Sequence, residues 1–170
     1  MISKKRPMMA NNRPNVLMST EKDIGQLIRE WYSVPAWIKT RLPVKCLTHR
    51  YEGELLINGE SLVFKGRENR GGRDCKMELP LDSIIDTYLG FSERLTNSVD
   101  PAFDMKGPMP FVVRYRDNGN SETLYFTTTA NNDLSRKNNL EWYITLSKVV
   151  TKNRRVRLLN WRNPALVMAQ

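Results

Sequence analysis

Between Tyr51 and Thr128 the chain alternates apolar and polar residues in short runs, separated by glycine, asparagine and proline. A period of two predicts β-strands with one face turned inward. Residues 51–57 and 61–65 flank Asn58-Gly59, a pair suited to the positive φ values of a type I′ hairpin. An arginine- and glycine-rich loop, residues 66–74, leads to a third strand over residues 75–79. After Pro80, residues 83–91 set Ile85, Thr87, Leu89 and Phe91 on one face and Asp86 and Tyr88 on the other, a fourth strand. Phe111, Val113 and Tyr115 alternate with Val112, Arg114 and Arg116 in a fifth. Asp117-Asn118-Gly119-Asn120 makes a second tight turn. The sixth strand, residues 122–128, faces Leu124 and Phe126 to the core.

Two other stretches have a helical period. Thr20 caps the first, with Asp23 three residues on as its reciprocal partner. Ile24, Leu27, Ile28 and Trp31 follow at i, i+3, i+4 and i+7, and the helix ends before Pro35. This apolar face covers the chain's own domain in one reading and a partner in another. The second helix starts near Asp133 or Ser135, carries Trp142, Leu146 and Val149/Val150 inward, and can continue to Pro164. The chain therefore divides into a disordered basic arm (1–18), an N-terminal helix and connector (19–46), a strand-then-helix domain (47–152) and a basic C-terminal tail (153–170).

The order of elements resembles the pleckstrin-homology-like superfamily, and within it the GRAM and bacterial PH-domain group. Three features carry the likeness. Gly53-Glu54-Leu55-Leu56-Ile57-Asn58-Gly59-Glu60-Ser61-Leu62-Val63-Phe64 is similar to the family's opening hairpin. Leu79-Pro80-Leu81-Asp82-Ser83-Ile84 is similar to its approach to strand four. A turn at Asp117-Asn118-Gly119 and a last helix bearing Trp142 complete the pattern. The resemblance implies a mainly β fold, a partly open antiparallel barrel of six or seven strands capped by the C-terminal helix, with the N-terminal helix added. Six strands are visible, so a seventh is sought in residues 92–109. The resemblance also implies phosphoinositide ligands held by cations on the first hairpin. Here that hairpin carries Glu54 and Glu60, the wrong charge for a polyanionic headgroup.

Charge points elsewhere. The net charge is +9 over 170 residues, yet residues 51–150 sum to −3, so both ends are cationic and the domain is close to neutral. Two groups of cations are candidate anion- or lipid-binding residues. Lys65, Arg67, Arg70, Arg73 and Lys76 lie on or beside a loop threaded by Gly66, Gly71 and Gly72. Glycine lets backbone N–H groups approach an anion, and the arginine fork suits phosphate or carboxylate. Glu68 and Asp74 stand among them. Strand parity sets this loop opposite the Asn58-Gly59 turn, beside Lys39, Arg41, Lys45 and Arg50. The second group is Arg154, Arg155, Arg157 and Trp161, joined by Leu158, Leu159 and Arg162. Basic residues interleaved with an apolar, tryptophan-bearing stretch suit an anionic membrane surface. They equally suit nucleic acid, or pack back on the body.

Enzyme chemistry finds little footing. His49 is the only histidine, Cys46 and Cys75 have no metal-ligand spacing, and residues 66–72 lack the lysine-serine pattern of a phosphate-binding loop. Asp100 and Asp104 lack the further oxygen ligands of a calcium site. No cofactor or small-molecule substrate is implied. The two thiols read as free in a reducing compartment, the basic start has no apolar segment behind it, and no run is long enough to span a bilayer. The expectation is a non-enzymatic, cytoplasmic binding or scaffold module, weakly attached to an anionic inner-leaflet surface by its basic ends. Nucleic-acid binding through the same ends and a purely protein-directed interaction are the alternatives.

Overall fold

The computed structural model of the chain describes residues 15–33, 35, 49–91, 109–129 and 132–162. Its elements are β1 (Val16–Thr20), α1 (Glu21–Ser33), β2 (Tyr51–Asn58), β3 (Ser61–Glu68), β4 (Asp74–Pro80), a 3-10 turn (Leu81–Ser83), β5 (Ile84–Leu89), β6 (Phe111–Asp117), β7 (Asn120–Thr128) and α2 (Asn132–Arg162). All seven strands join one antiparallel sheet in the order β4-β3-β2-β1-β7-β6-β5, curled into a half-barrel. The fold is mainly β with a C-terminal helix, as the sequence leads one to expect.

The seventh strand is β1, whose first three residues fall in what reads as a disordered arm, and it holds the centre of the sheet. Val16 pairs with Gly53 on one side and Thr128 on the other, so β1 bridges the β2–β3–β4 and β5–β6–β7 meanders. The division at residue 47 therefore cuts the sheet. Residues 16–19 are all buried, so this five-residue strand has no polar face and no alternation to betray it. Residues 92–108, all but the last of the 92–109 stretch in which the sequence leaves room for a seventh strand, lie outside the described residues.

Successive side chains leave opposite faces of the sheet, and both faces are covered. On the concave side Val16, Met18, Leu55, Leu62, Phe64, Phe111, Val113, Leu124 and Phe126 surround Trp142, Leu146 and Val150 of α2. Phe111 lies in the middle of a stack, 5.1 Å from the Phe126 ring and 5.9 Å from Trp142. On the convex side Ile24 of α1 packs with Val112 and Tyr125, beside Tyr88 and Phe91. Ile24 thus covers the chain's own sheet.

α1 begins where β1 ends because Thr20 serves both. The Asp23 N–H donates to Thr20 Oγ1 at 3.0 Å and the Thr20 N–H donates to Asp23 Oδ2 at 3.1 Å, the reciprocal cap that the spacing predicts. The turns divide. Asn118 and Gly119 both take positive φ, as a type I′ turn requires. In the first hairpin Asn58 pairs with Ser61, so the turn residues are Gly59 and Glu60, and of that pair only Gly59 has positive φ. The turn is shifted one residue from Asn58-Gly59 and is of the kind with glycine first.

Candidate functional site

The cleft of about 140 Å³ lies where α1, the start of β2 and the end of β3 meet. It is lined by Asp23, Gln26, Glu30, His49, Arg50, Glu68, Asn69 and Arg70. Each wall has a local reason to be there. Asp23 is fixed by its cap duty to Thr20. Arg50 is held by its own N–H, which donates to Ser19 Oγ at 2.7 Å. Asn69 closes the turn after β3 by donating its N–H to Arg50 O at 2.9 Å and its amide to His49 O at 3.2 Å.

Arg50 is the hub. Its Nη1 lies 2.7 Å from Asp23 Oδ1 and its Nε 2.9 Å from Glu68 Oε1. The second oxygen of Glu68 accepts from Arg73 Nε at 3.1 Å. On the rim, Arg70 Nη1 lies 2.7 Å from Glu30 Oε2, and Gln26 donates to the other Glu30 oxygen at 3.0 Å. The hydrogen bonds it donates to Asp23 and Glu68 hold the Arg50 guanidinium charged far above any working pH. Arg50 in turn draws the Glu68 carboxyl below its usual range, and Arg70 does the same for Glu30. Burial pushes the pKa of His49 down to about 4, so at neutral pH its imidazole carries no charge.

Three arginines therefore meet three carboxylates, and the charges cancel. The geometry cross-links a helix, a strand entry and a turn, with the Arg70 and Arg73 side chains 63% and 79% exposed at its rim. Arg70 and Arg73, two of the candidate anion ligands, are engaged by Glu30 and Glu68. Arg67 sits in register with Asp74 and meets it at 3.3 Å. Lys65 and Lys76 lie two register steps further on the outer face of β3 and β4, where Lys76 approaches Glu78 at 3.8 Å. The five cations are thus split between the ion cluster and the outer sheet face, each group among carboxylates. Lys39, Arg41 and Lys45 lie outside the described residues.

Arg154, Arg155, Arg157 and Trp161 all fall on α2, whose helix runs unbroken to Arg162. The segment read as a tail is helical backbone continuing from the core. Cys75 is half-buried and its thiol pKa is raised by burial, the opposite of an activated nucleophile. Cys46 lies outside the described residues. Among the described residues no group of His, Cys, Asp and Glu could hold a metal ion, and no helix is long and apolar enough to cross a membrane.

Sequence reading missed Arg50 as the hub and the pairing of Glu30 with Arg70. Asp23 was visible as a cap and Glu68 as a charge within the basic loop. Their convergence needs β1, which brings the start of α1 beside the start of β2. No protein-family model matches the chain, and a search of curated proteins finds no match.

Proposed function

We propose that this protein is a non-enzymatic, PH-like binding module of the cytoplasm that attaches to an anionic membrane surface through the basic end of α2. One observation carries the reading. Val150 is the last core residue among the described side chains of α2, and the helix backbone continues to Arg162. From Trp142 to Arg162 the sequence holds Lys148, Lys152, Arg154, Arg155, Arg157 and Arg162 and no acidic residue. The basic loop on the sheet offers no such surplus, since its arginines are bound to carboxylates of the same chain. A helical segment rich in arginine, with Leu158, Leu159 and Trp161 interleaved, has the composition that binds anionic lipid headgroups and the boundary beneath them. Lys65, Arg67 and Lys76 lie on a face shared with Glu54, Asp74 and Glu78 and contribute little to this attachment.

Vesicle co-sedimentation tests it. The full chain is expected to bind vesicles containing phosphatidylserine and not neutral phosphatidylcholine vesicles. The triple variant Arg154→Gln, Arg155→Gln, Arg157→Gln should lose that binding while keeping the native circular dichroism spectrum. Equal binding by the variant, or retardation of nucleic acid in a gel with no vesicle binding, would overturn the membrane reading.

A further inference from the structure

Among the described residues the sheet ends on one side at β4, and the direction of that strand's backbone groups can be read from both ends. Just before β4, the Glu68 N–H donates to Arg73 O at 2.8 Å; just after it, the Leu81 N–H donates to Glu60 O at 2.8 Å. Hydrogen-bonded pairs in an antiparallel ladder recur at every second residue. Cys75, Met77 and Leu79 therefore turn their backbone groups towards β3, and Asp74, Lys76 and Glu78 turn theirs to the outer edge. Pro80 also faces outward, where its missing N–H costs the ladder nothing.

Among the described residues β4 pairs with β3 alone. The side chains of Asp74, Lys76 and Glu78 are 87%, 65% and 53% exposed. The opposite edge is different: β5 has a register shift between Ile84 and Asp86, and its Thr87 hydroxyl is hydrogen-bonded to Ser147 of α2 at 2.8 Å. A bulge of that kind blunts an edge against pairing.

We propose that β4 is a homodimerisation edge, to which β4 of a second copy adds antiparallel about a two-fold axis through Met77. The strand is self-complementary in this register. Lys76 of each copy stands opposite Glu78 of the other, and both positions carry outward backbone groups, so the two pairs supply about four hydrogen bonds. On the inner face Met77 meets Met77, and Cys75 meets Leu79. Registers centred on Lys76 or on Glu78 keep the hydrogen-bond parity but set like charges opposite one another, which disfavours them.

A second observation points the same way. Within one chain Lys65 stands directly opposite Lys76, with Glu54 opposite Lys65 on the far side. Like charges facing across two strands are destabilising. The second copy completes the row as Glu54, Lys65, Lys76 and the other chain's Glu78, setting an acid directly opposite Lys76 in addition to the Glu78 of its own chain at 3.8 Å. A lone lysine commonly guards an edge strand against pairing; here Glu78 makes the guard attractive to a copy of itself. This inference stands apart from the membrane reading, since it uses none of the same residues.

Sedimentation equilibrium of the full chain tests it. The wild type should show a concentration-dependent dimer. Lys76→Glu and Glu78→Lys should each weaken it about tenfold or more by replacing two attractive pairs with two repulsive ones. The double swap Lys76→Glu, Glu78→Lys should restore it. Met77→Cys, with Cys46 and Cys75 changed to serine, should form an interchain disulfide on oxidation, because facing residues of a non-hydrogen-bonded pair lie within disulfide range. A wild type that stays monomeric to its solubility limit, or single reversals that dimerise as the wild type does, would overturn the proposal.

Discussion

Asn139 on α2 locks the helix to the end of β7 through Thr128, accepting its backbone N–H at 3.0 Å and its hydroxyl at 3.1 Å. The same side chain donates to Met109 O at 2.8 Å, so one buried amide ties the helix to the strand ends on both sides of the β6–β7 hairpin. Ser135, one turn earlier, donates to Thr128 O at 2.7 Å. These bonds set the depth at which Trp142 enters the barrel.

Replacing Asn139 with leucine leaves the buried Thr128 N–H and the Met109 carbonyl without that partner. The expected loss is about 2–4 kcal/mol, against about 1 kcal/mol for Ser135→Ala. Urea denaturation measures both, and amide exchange at Thr128 should quicken selectively in the Asn139 variant. Equal stability of Asn139→Leu and wild type would show that the helix is held by its apolar face alone.

Two glycines predict opposite signs for the same substitution. A Cβ on Gly53 would collide with the Lys65 carbonyl oxygen and the Gly66 backbone on the neighbouring strand. Gly53→Ala should therefore cost about 1–3 kcal/mol as the strands are forced apart. On α1, a Cβ on Gly25 meets nothing nearer than Arg29 Nη1 at 3.8 Å. Gly25→Ala should gain about 0.5–1 kcal/mol from helix propensity. Thermal denaturation of the pair checks the contrast, and a destabilising Gly25→Ala would contradict the packing described.

Most strands and both helices are legible because their apolar positions recur with a period of two or of three to four along enough residues. The exception, β1, is buried on both faces and only five residues long, so periodicity has no purchase on it. The charge cluster was hidden for a related reason. Arg50, Asp23 and Glu68 are far apart in sequence and meet only because β1 aligns α1 with the start of β2. Local spacing shows which residues share a face, but not which carboxylate a loop arginine will find. The loop's arginines are legible as a group, but that Arg70 meets Glu30 of α1 and Arg73 meets Glu68 is not.

The hub and rim of that cluster should differ in weight. Arg50 joins the buried carboxylates Asp23 and Glu68, whose side chains are 10% and 9% exposed. Arg70 meets Glu30 at an exposed pair, with exposures of 63% and 42%. Arg50→Met should destabilise the fold by about 1–3 kcal/mol, because buried acceptors lose their donor. Arg70→Met should change stability by less than about 1 kcal/mol, as exposed pairs do. Denaturant titrations of the two variants measure the gap, and equal losses would refute the distinction between hub and rim.

Acid should weaken the fold before its carboxylates protonate. His49 has a folded-state pKa of about 4, lowered by burial from an ordinary value of 6.5. Between those values the unfolded chain takes up a proton that the folded chain resists, so stability is full above the window and falls as pH drops through it. The slope approaches about 1.4 kcal/mol per pH unit inside the window. Glu30 and Glu68, whose pKa values are lowered by their arginines, act later: their contribution is present above 4.5 and is lost as pH falls below it. Urea denaturation at a series of pH values should show a decline beginning near 6.5 in the wild type. In His49→Gln the curve should stay flat until carboxylate protonation begins, whatever the variant's absolute stability. The same slope in both proteins between pH 6.5 and 5 would mean that His49 does not carry the acid sensitivity.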